Sequence, residues 1–369
     1  HVARIIFRHD TQRTWRQSNN CARGFCQATN LRNMHVGGSK GSISGNYAMT
    51  EADLLIVIGS RAVCQADCSG IGYKNAKHVI NINYDLADAQ HYNQTTALVG
   101  DIPLVADELS ALLEASKAGK TPAKEAWFKA CLEKKREWRA FRDHRLQTEV
   151  LFDDVWKRPA LTQPAAIKAV ADFAKTKGAV KYFDAGDVQA NGFQIVEDDH
   201  TGETITETGA SYMGFASSAV LAAAAVQKPR YPIAFTGDGS FMMNPQILID
   251  AVEHRVHGMV VIFDNRRMAA ITGLQHAQYG HEFRTNDRVA VDYVRMASAV
   301  EGVLALHGGW SRAELMAALE KGFAHPGLSV LHVPVYAGHD PLAGLGAWGS
   351  WNVGNWCEAV QDAWLRQDI

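Results

Sequence analysis

The sequence has little cysteine, no long hydrophobic run and no excess of charge of one sign, and each shortage excludes a class of protein. Six cysteines in 369 residues are too few for a disulfide scaffold. Two close pairs, Cys21/Cys26 and Cys64/Cys68, leave a four-cysteine zinc site open. Neither pair has the two-residue gap of the common zinc knuckle, so the spacing disfavours that alternative.

The formal net charge of −2 gives no electrostatic reason to bind nucleic acid or an anionic membrane. No apolar run approaches the roughly 18–20 residues that span a bilayer, and no signal-peptide pattern opens the sequence. With 47% hydrophobic and 21% charged residues, the composition is typical of a soluble globular protein. We therefore predict a cytoplasmic location. Because the sequence begins at His1 rather than Met, we expect a segment to precede it.

Two continuous apolar runs mark the first part of the chain. ADLLIVIG (52–59) and HVININYD (78–85) each read as a strand without alternation, and helix-like segments surround them. Such runs between helices predict a parallel sheet covered on both faces. We assign this central α/β domain to residues 1–118.

The pattern then changes twice. Residues 119–160 interleave Lys, Glu and Arg with aromatic residues at near-helical spacing, which predicts a helical connector. The strands AVKYFDAG, YPIAFTGDG, MVVIFDN and LSVLHVPV alternate with helical patterns and predict a second α/β domain at 161–336. A Gly- and Trp-rich tail occupies 337–369. The predicted fold class is α/β, with two doubly wound parallel-sheet domains joined by the connector.

Polar residues stand at the ends of two predicted strands of the second domain. Asp238 follows PIAFT, and Asn265 follows VVIFD 27 residues later. A right-handed strand–helix–strand unit returns the second residue beside the first, at the sheet edge where ligands bind. Gly237 and Gly239 would let a bulky anion approach the backbone, in a turn that a Cβ would obstruct. Ser240 and the free N–H groups of the next helix suit a phosphate.

One carboxylate and one amide oxygen are hard ligands that suit Mg2+, which keeps water and phosphate oxygens in its other positions. The sequence therefore predicts a magnesium-bridged diphosphate site. A plainer alternative makes Asp238 a turn residue and Asn265 a cap. Motif, spacing and two strand ends together favour the metal site. A phosphate enzyme with Asp238 as nucleophile would need an aspartate two residues on, where Ser240 stands.

GDGS followed 27 residues later by Asn resembles the signature of thiamine-diphosphate-dependent enzymes. The domain order is similar to the central and pyrophosphate-binding domains of the acetolactate synthase-like group. The likeness extends over about residues 20–335 and is strongest across 205–285. ITETGASYMGF also resembles the trihydroxycyclohexanedione hydrolases. The resemblance implies thiamine diphosphate and Mg2+ as cofactors.

The resemblance assigns roles to particular residues. Asp238, Asn265 and the carbonyl of Arg267 would hold the Mg2+. Met213 would force the cofactor into its bent shape, and the carbonyl of Ser211 would accept a hydrogen bond from its aminopyrimidine.

In DAGDVQ, Gly186 and its neighbour Asp187 would reach the diphosphate. Two residues depart from the family pattern: Asp187 where uncharged polar residues are common, and Asp264 where Asn is usual. The carboxylate of Asp187 would repel a diphosphate unless it is paired or turned away.

The resemblance places the activating glutamate on a pyrimidine-binding domain, which we expect from a preceding segment or a separate partner chain. The present chain alone would then be inactive. The family's active sites lie between subunits, so we expect a homodimer, a homotetramer or a hetero-oligomer. Gln275, His276 and Tyr279 could face a small-molecule carbonyl substrate.

The expected function is to make or break a C–C bond next to a carbonyl, by 2-oxo acid decarboxylation or carboligation of acetolactate synthase type. One alternative is hydrolysis of a cyclic 1,2-dione. Another is a half-site subunit that is inactive without a pyrimidine-domain partner. The central domain resembles one that binds FAD or ADP in some relatives. It lacks G-x-G-x-x-G, so structural support is the favoured role.

Overall fold

The computed structural model describes residues 5–8, 31, 33–38, 41–61, 72–73, 75–90, 95–115, 122–207, 212–285 and 289–338. The chain forms two compact units, one of residues 1–141, 199–201 and 345–369, the other of 142–198 and 202–344. Within the described ranges, no helix is long and apolar enough to cross a membrane.

The first unit contains a four-stranded parallel sheet in chain order. Its strands are β1 (Ile5–Arg8), β2 (Leu54–Ile58), β3 (His78–Asn83) and β4 (Thr95–Val99). Its first three helices are α1 (Ile43–Thr50), α2 (Leu86–Ala89) and α3 (Ile102–Ala115). Leu55 and Val57 of β2 pack against Val79 of β3 in a small buried cluster. The two continuous apolar runs are thus adjacent parallel strands.

The predicted connector contains a long helix and a hairpin. Helix α4 (Pro122–Gln147) is followed by the antiparallel strands β5 (Val150–Asp153) and β6 (Arg158–Leu161). Asp153 organises the hairpin turn, since its Oδ1 accepts the N–H groups of Val155 and Trp156 at 2.8 and 2.9 Å. Its Oδ2 accepts the N–H of Ala337 at 2.6 Å, which ties the hairpin to the end of the second sheet.

The second unit is built on a six-stranded parallel sheet. Its strands are β7 (Val180–Phe183), β8 (Thr204–Thr206), β9 (Pro232–Gly237), β10 (Gly258–Asp264), β11 (Leu304–His307) and β12 (Leu328–Pro334). They lie in the order β11-β12-β10-β9-β7-β8. Every residue of β10 and β12 is buried, because helices cover both faces.

The helices of this unit are α5 (Gln163–Thr176), α6 (Asp187–Ile195), α7 (Phe215–Ala219), α8 (Ala222–Ala225), α9 (Asp238–Phe241), α10 (Ile247–Glu253), α11 (Ala269–Tyr279), α12 (Tyr293–Ser298) and α13 (Arg312–Phe323). Residues of α5, α6 and α13 pack in one apolar cluster with the sheet. Residues of α7, α10 and α12 pack in the other. The predicted α/β fold class with parallel sheets is confirmed.

The order of the strands positions the site. From β7 the chain passes to β8 on one side and then to β9 on the other, so the strand order reverses between β7 and β9. A reversal of this kind separates the loops that follow the two strands and opens a crevice at their carboxyl ends.

Candidate functional site

The carboxyl ends of β7, β9 and β10 lie side by side at this reversal. Phe183 of β7 is in register with Phe235 of β9, and β9 stays in register with β10 as far as Gly237. Asp238 and Asn265 therefore directly follow adjacent strands. The strand–helix–strand geometry inferred from their spacing brings both residues to one edge of the sheet.

The loop after β7 leads into α6 through Gly186. This residue has φ of 91° and ψ of −145°, a conformation essentially restricted to glycine. No atom lies within 4 Å of the position that a Cβ would occupy. The first N–H groups of a helix have no partner within the helix, and they carry its positive dipole end. The start of α6 therefore offers an open, donor-rich place for an anion.

The two glycines around Asp238 are not required by the turn itself. Gly237 has φ of −82°, and Gly239 lies in helix α9 without a positive φ. A Cβ at these positions would meet Val188 at 3.7 Å and Met213 at 3.6 Å, which are ordinary contacts. The prediction that a Cβ would obstruct the turn is therefore wrong. The room beside both glycines is instead what a bulky anion needs to reach the backbone.

Asp238 begins α9 and is 4% exposed. Its Oδ1 accepts the N–H of Gly239 at 2.9 Å. Ser240, in the same short helix, is also buried. The methyl end of Met213 lies beside Gly239, so this side chain borders the same turn. Ser211 lies outside the described residues.

The residues after β10 form two overlapping side-chain turns. Asp264 Oδ1 accepts the N–H of Arg266 at 3.0 Å, and Asn265 Oδ1 accepts the N–H of Arg267 at 3.1 Å. Arg266 adopts a left-handed conformation with φ of 56°. The Arg267 guanidinium lies 3.7 Å from the Glu282 carboxylate. These contacts fix the backbone as far as Arg267, the residue whose carbonyl is the third predicted ligand.

Asp264, the first departure from the family pattern, is paired. It is 1% exposed, and His332 Nε2 donates to its Oδ2 at 2.9 Å. The rings packed around His332 belong to Trp156, Tyr293 and His307. The carboxylate of Asp264, at the end of β10, is therefore fixed by His332 of β12 and by the N–H of Arg266 in its own turn.

Asp187, the second departure, is paired through a residue that sequence reasoning missed. Gln163, at the start of α5, donates from Nε2 to Asp187 Oδ2 at 2.7 Å. Its Oε1 accepts from Asn265 Nδ2 at 3.2 Å. Gln163 thus joins the first turn of α6 to the end of β10. In the sequence, Gln163 is marked by its place directly before Pro164, at the start of a helical pattern. This place does not indicate which residues it contacts.

Asp184, the residue after β7, was also missed as a site residue. It is fully buried, and Thr236 Oγ1 donates to its Oδ2 at 2.6 Å. Burial raises the pKa of the Asp184 carboxyl to about 6. Hydrogen bonds from Thr236 and from the backbone of Ala216, Gly214 and Phe215 oppose that rise. A buried carboxyl with a raised pKa therefore directly follows β7.

The three candidate substrate residues are placed differently. Gln275 uses its side-chain amide on the backbone of Phe283, donating to its carbonyl at 3.2 Å and accepting its N–H at 2.8 Å. Tyr279 is 62% exposed, with its ring 6.3 Å from that of His281. The side chain of His276 lies outside the described residues. Gln275 therefore ties α11 to the loop that follows it.

The residues at the crevice fit a diphosphate held through a hard cation. One carboxylate, one amide oxygen, an open glycine turn and a helix N-terminus provide the appropriate donor set. Within the part of the chain that the structure describes, no three His, Cys, Asp or Glu side chains gather as a metal-binding group. The cysteine pairs Cys21/Cys26 and Cys64/Cys68 and most of the tail lie outside that part.

Comparison with known families decides the class. The model of the C-terminal thiamine pyrophosphate binding domain of thiamine pyrophosphate enzymes matches residues 184–333. The model of the central domain of these enzymes matches residues 18–109. The chain belongs to the thiamine pyrophosphate enzyme family. Together the two matches cover more than half of it, and the crevice lies within the thiamine pyrophosphate binding domain.

Relatives within the family carry two kinds of name. A probable acetolactate synthase large subunit of Methanocaldococcus jannaschii is 26% identical over 71% of this chain and 43% of its own length. The acetolactate synthase isozyme 2 large subunit of Escherichia coli is 26% identical, over 81% and 50%. The 3D-(3,5/4)-trihydroxycyclohexane-1,2-dione hydrolase of Bacillus licheniformis is 28% identical, over 73% and 44%.

The predicted resemblance to this group is confirmed. The chain spans about half the length of the curated relatives it matches.

Proposed function

We propose that this domain holds the diphosphate of thiamine diphosphate through Mg2+ bound by Asp238, Asn265 and the backbone carbonyl of Arg267. The observation that carries the proposal is the meeting of Asp238 and Asn265 at the ends of adjacent strands, where the strand order reverses. Both side chains are more than nine-tenths buried, which suits ligands that must exclude competing water.

Other residues would complete the cofactor site. Gly186 and the first N–H groups of α6 would bind phosphate oxygens, and Gly237 and Gly239 would let those oxygens reach the backbone. Ser240 would add a hydroxyl donor. Met213, whose methyl group borders Gly239, would support the bent shape of the cofactor. The carbonyl of Ser211 would accept a hydrogen bond from the aminopyrimidine of the cofactor.

The bound cofactor supplies an electron sink for making or breaking a C–C bond next to a carbonyl. The contribution of this chain is to bind and orient the cofactor and to keep water from its diphosphate. A pyrimidine-binding domain, from the same chain or from a partner, would provide the activating glutamate. Apolar side chains exposed within a few residues of the site would suit such a neighbour: Tyr212, Met242, Met243, Met268 and Ile271.

The proposed reaction is decarboxylation or carboligation of a 2-oxo acid, as the names of the acetolactate synthase relatives indicate. Hydrolysis of a cyclic 1,2-dione is the second candidate, because hydrolases with that activity in their names match about as much of the chain. As a half-site subunit, the chain would show neither activity until a pyrimidine-domain partner is added. A homo-oligomer or hetero-oligomer follows from the family arrangement.

Calorimetric titration with thiamine diphosphate tests the cofactor site. The wild-type protein, supplied with its pyrimidine-binding domain, should bind the cofactor with Mg2+ and lose most affinity when the metal is chelated. Asp238→Ala should weaken Mg2+-dependent binding at least about tenfold. Asp250→Ala, at a partly buried position of α10, is the matched control and should leave binding unchanged. Absence of metal-dependent binding by the wild type would refute the proposed site.

Turnover separates the two reactions. The complete enzyme should consume pyruvate under the first proposal and a trihydroxycyclohexane-1,2-dione under the second. Turnover of the dione without turnover of pyruvate would replace the first candidate by the second.

A further inference from the structure

We propose that Gln163 and Asp187 are positioning residues that, together with the N–H of Arg267, determine which atom of the Asn265 side-chain amide faces the metal. The proposal rests on the metal site described under the proposed function. Its basis is the hydrogen-bonded chain from Asp187 through Gln163 to Asn265, which links α6, α5 and the end of β10.

The direction of this chain follows from what each group can donate. The carboxylate of Asp187 only accepts hydrogen bonds, so Gln163 must present its NH2 group to it. The carbonyl oxygen of Gln163 is then left to face Asn265 and can accept only from its NH2 group. The oxygen of the Asn265 amide consequently faces the other way.

That oxygen is the atom a metal requires. It already accepts one hydrogen bond, from the N–H of Arg267 at 3.1 Å, and keeps a second lone pair. An amide turned the other way would present NH2 to the cation and repel it. The two amide ends are nearly equal in size, so packing does not choose between them, and the hydrogen-bond partners do.

Burial makes the choice firm. Gln163 is 5% exposed and Asn265 is 7% exposed, so neither amide can exchange its partner for bulk water at little cost. The backbone of α5 is also fixed at this end. Thr162, which precedes Gln163, donates from its hydroxyl to the carbonyl of Thr148 at 3.1 Å and from its N–H to that of Glu149 at 2.8 Å.

The same series of hydrogen bonds explains why residue 187 is a carboxylate. An uncharged amide at 187 could donate or accept, and would remove one of the two groups, Asp187 and the N–H of Arg267, that fix the direction of the two amides. The direction would be preserved if the two residues exchanged chemistry, with Glu at 163 accepting from both an Asn at 187 and Asn265. This exchange keeps the net charge of the pair.

The test is calorimetric titration of Mg2+ into the complete protein in the presence of thiamine diphosphate. Gln163→Met is charge-neutral and removes both hydrogen bonds, so Mg2+ affinity should fall about tenfold or more. Asp187→Asn should also weaken Mg2+ binding. The double variant Gln163→Glu/Asp187→Asn should recover affinity to within about threefold of wild type.

Two controls separate positioning from folding. Gln246→Met removes another glutamine–aspartate hydrogen bond, from the exposed Gln246 to Asp250 of α10, and should leave Mg2+ affinity unchanged. Thermal unfolding of Gln163→Met should show a cooperative transition. If Gln163→Met acted only by loosening the packing at this position, the double variant would not recover Mg2+ affinity.

The outcomes are distinct. If the wild type binds Mg2+ and thiamine diphosphate while Gln163→Met and Asp187→Asn bind within about twofold of it, the positioning role is refuted and the cofactor site stands. Weak single variants without recovery in the double variant would also overturn the proposed direction of the chain. If the wild type itself does not bind, the proposed function fails first.

Discussion

Two glycines at the crevice serve different needs at the scale of single residues. Gly186 adopts a backbone conformation that side chains other than hydrogen tolerate only with strain. Gly239 is helical, and the place for its Cβ is free of close contacts. Glycine is therefore required by the fold at the first position, and under the proposed function it is required by the ligand at the second.

Gly239→Ala should separate stability from binding. Because alanine favours helix over glycine, the free energy of unfolding in urea should stay unchanged or rise by up to about 1 kcal/mol. The new methyl group should nonetheless weaken thiamine diphosphate binding severalfold, as measured by titration.

Gly178→Ala is the matched control for this variant. It places a methyl group in open space at φ of 63°, so it should cost about 1–2 kcal/mol of stability without changing binding. If Gly239→Ala were unstable but bound the cofactor normally, Gly239 would serve the fold and not the ligand, which would contradict the account.

Asp184 should make stability depend on pH. Its pKa of about 6 in the folded protein lies above the ordinary value of 3.8, so the folded state holds the proton more tightly. The corresponding stabilisation is complete below about pH 3.8 and is lost as the pH rises through 6. From pH 4.5 to 7.5, the unfolding free energy of Asp184→Asn relative to wild type should increase by about 2 kcal/mol. A difference that stays constant over this range in urea titrations would show that Asp184 does not titrate there.

At the scale of elements, the strands with continuous apolar sequence could be predicted because burial on both faces leaves a strong pattern. β2, β9 and β10 follow it over most of their length, whereas β3 includes Asn81 and Asn83 and β12 includes Ser329 and His332 among its apolar residues. The short edge strand β8 has the sequence TIT, which carries no such pattern. The β5–β6 hairpin went unpredicted because it follows directly on the amphipathic pattern of α4, and its turn depends on contacts of Asp153 with residues as far away as Ala337.

Asp153→Ala should loosen this hairpin. The substitution removes the acceptor for the N–H groups of Val155, Trp156 and Ala337 at a site that is 1% exposed. The free energy of unfolding should fall by about 2–4 kcal/mol, since buried donors lose their partner. Urea denaturation measures the change. Asp154→Ala, at the exposed neighbouring position, should alter it by less than about 0.5 kcal/mol; equal effects at both positions would refute the role of Asp153.

At the scale of the whole molecule, the sequence was sufficient for the family and for the meeting of Asp238 and Asn265 at one edge of the sheet. Asp238 and Asn265 lie in one strand–helix–strand unit, and local geometry returns one beside the other. The contacts that tune the site were beyond reach, because they join distant parts of the chain. Gln163 and Asn265 are 102 residues apart, and Asp264 and His332 are 68 apart. Nothing in the spacing indicates that Asp187 is paired with Gln163 or that Asp264 is paired with His332.

Diffraction from crystals grown with thiamine diphosphate and Mn2+ in place of Mg2+ would test the central claim most directly. The anomalous signal locates the metal without reference to activity. The account predicts one peak about 2.1 Å from a carboxylate oxygen of Asp238, the amide oxygen of Asn265 and the carbonyl oxygen of Arg267. A metal peak that lies away from these three oxygen atoms, in crystals that show density for the cofactor, would contradict the account.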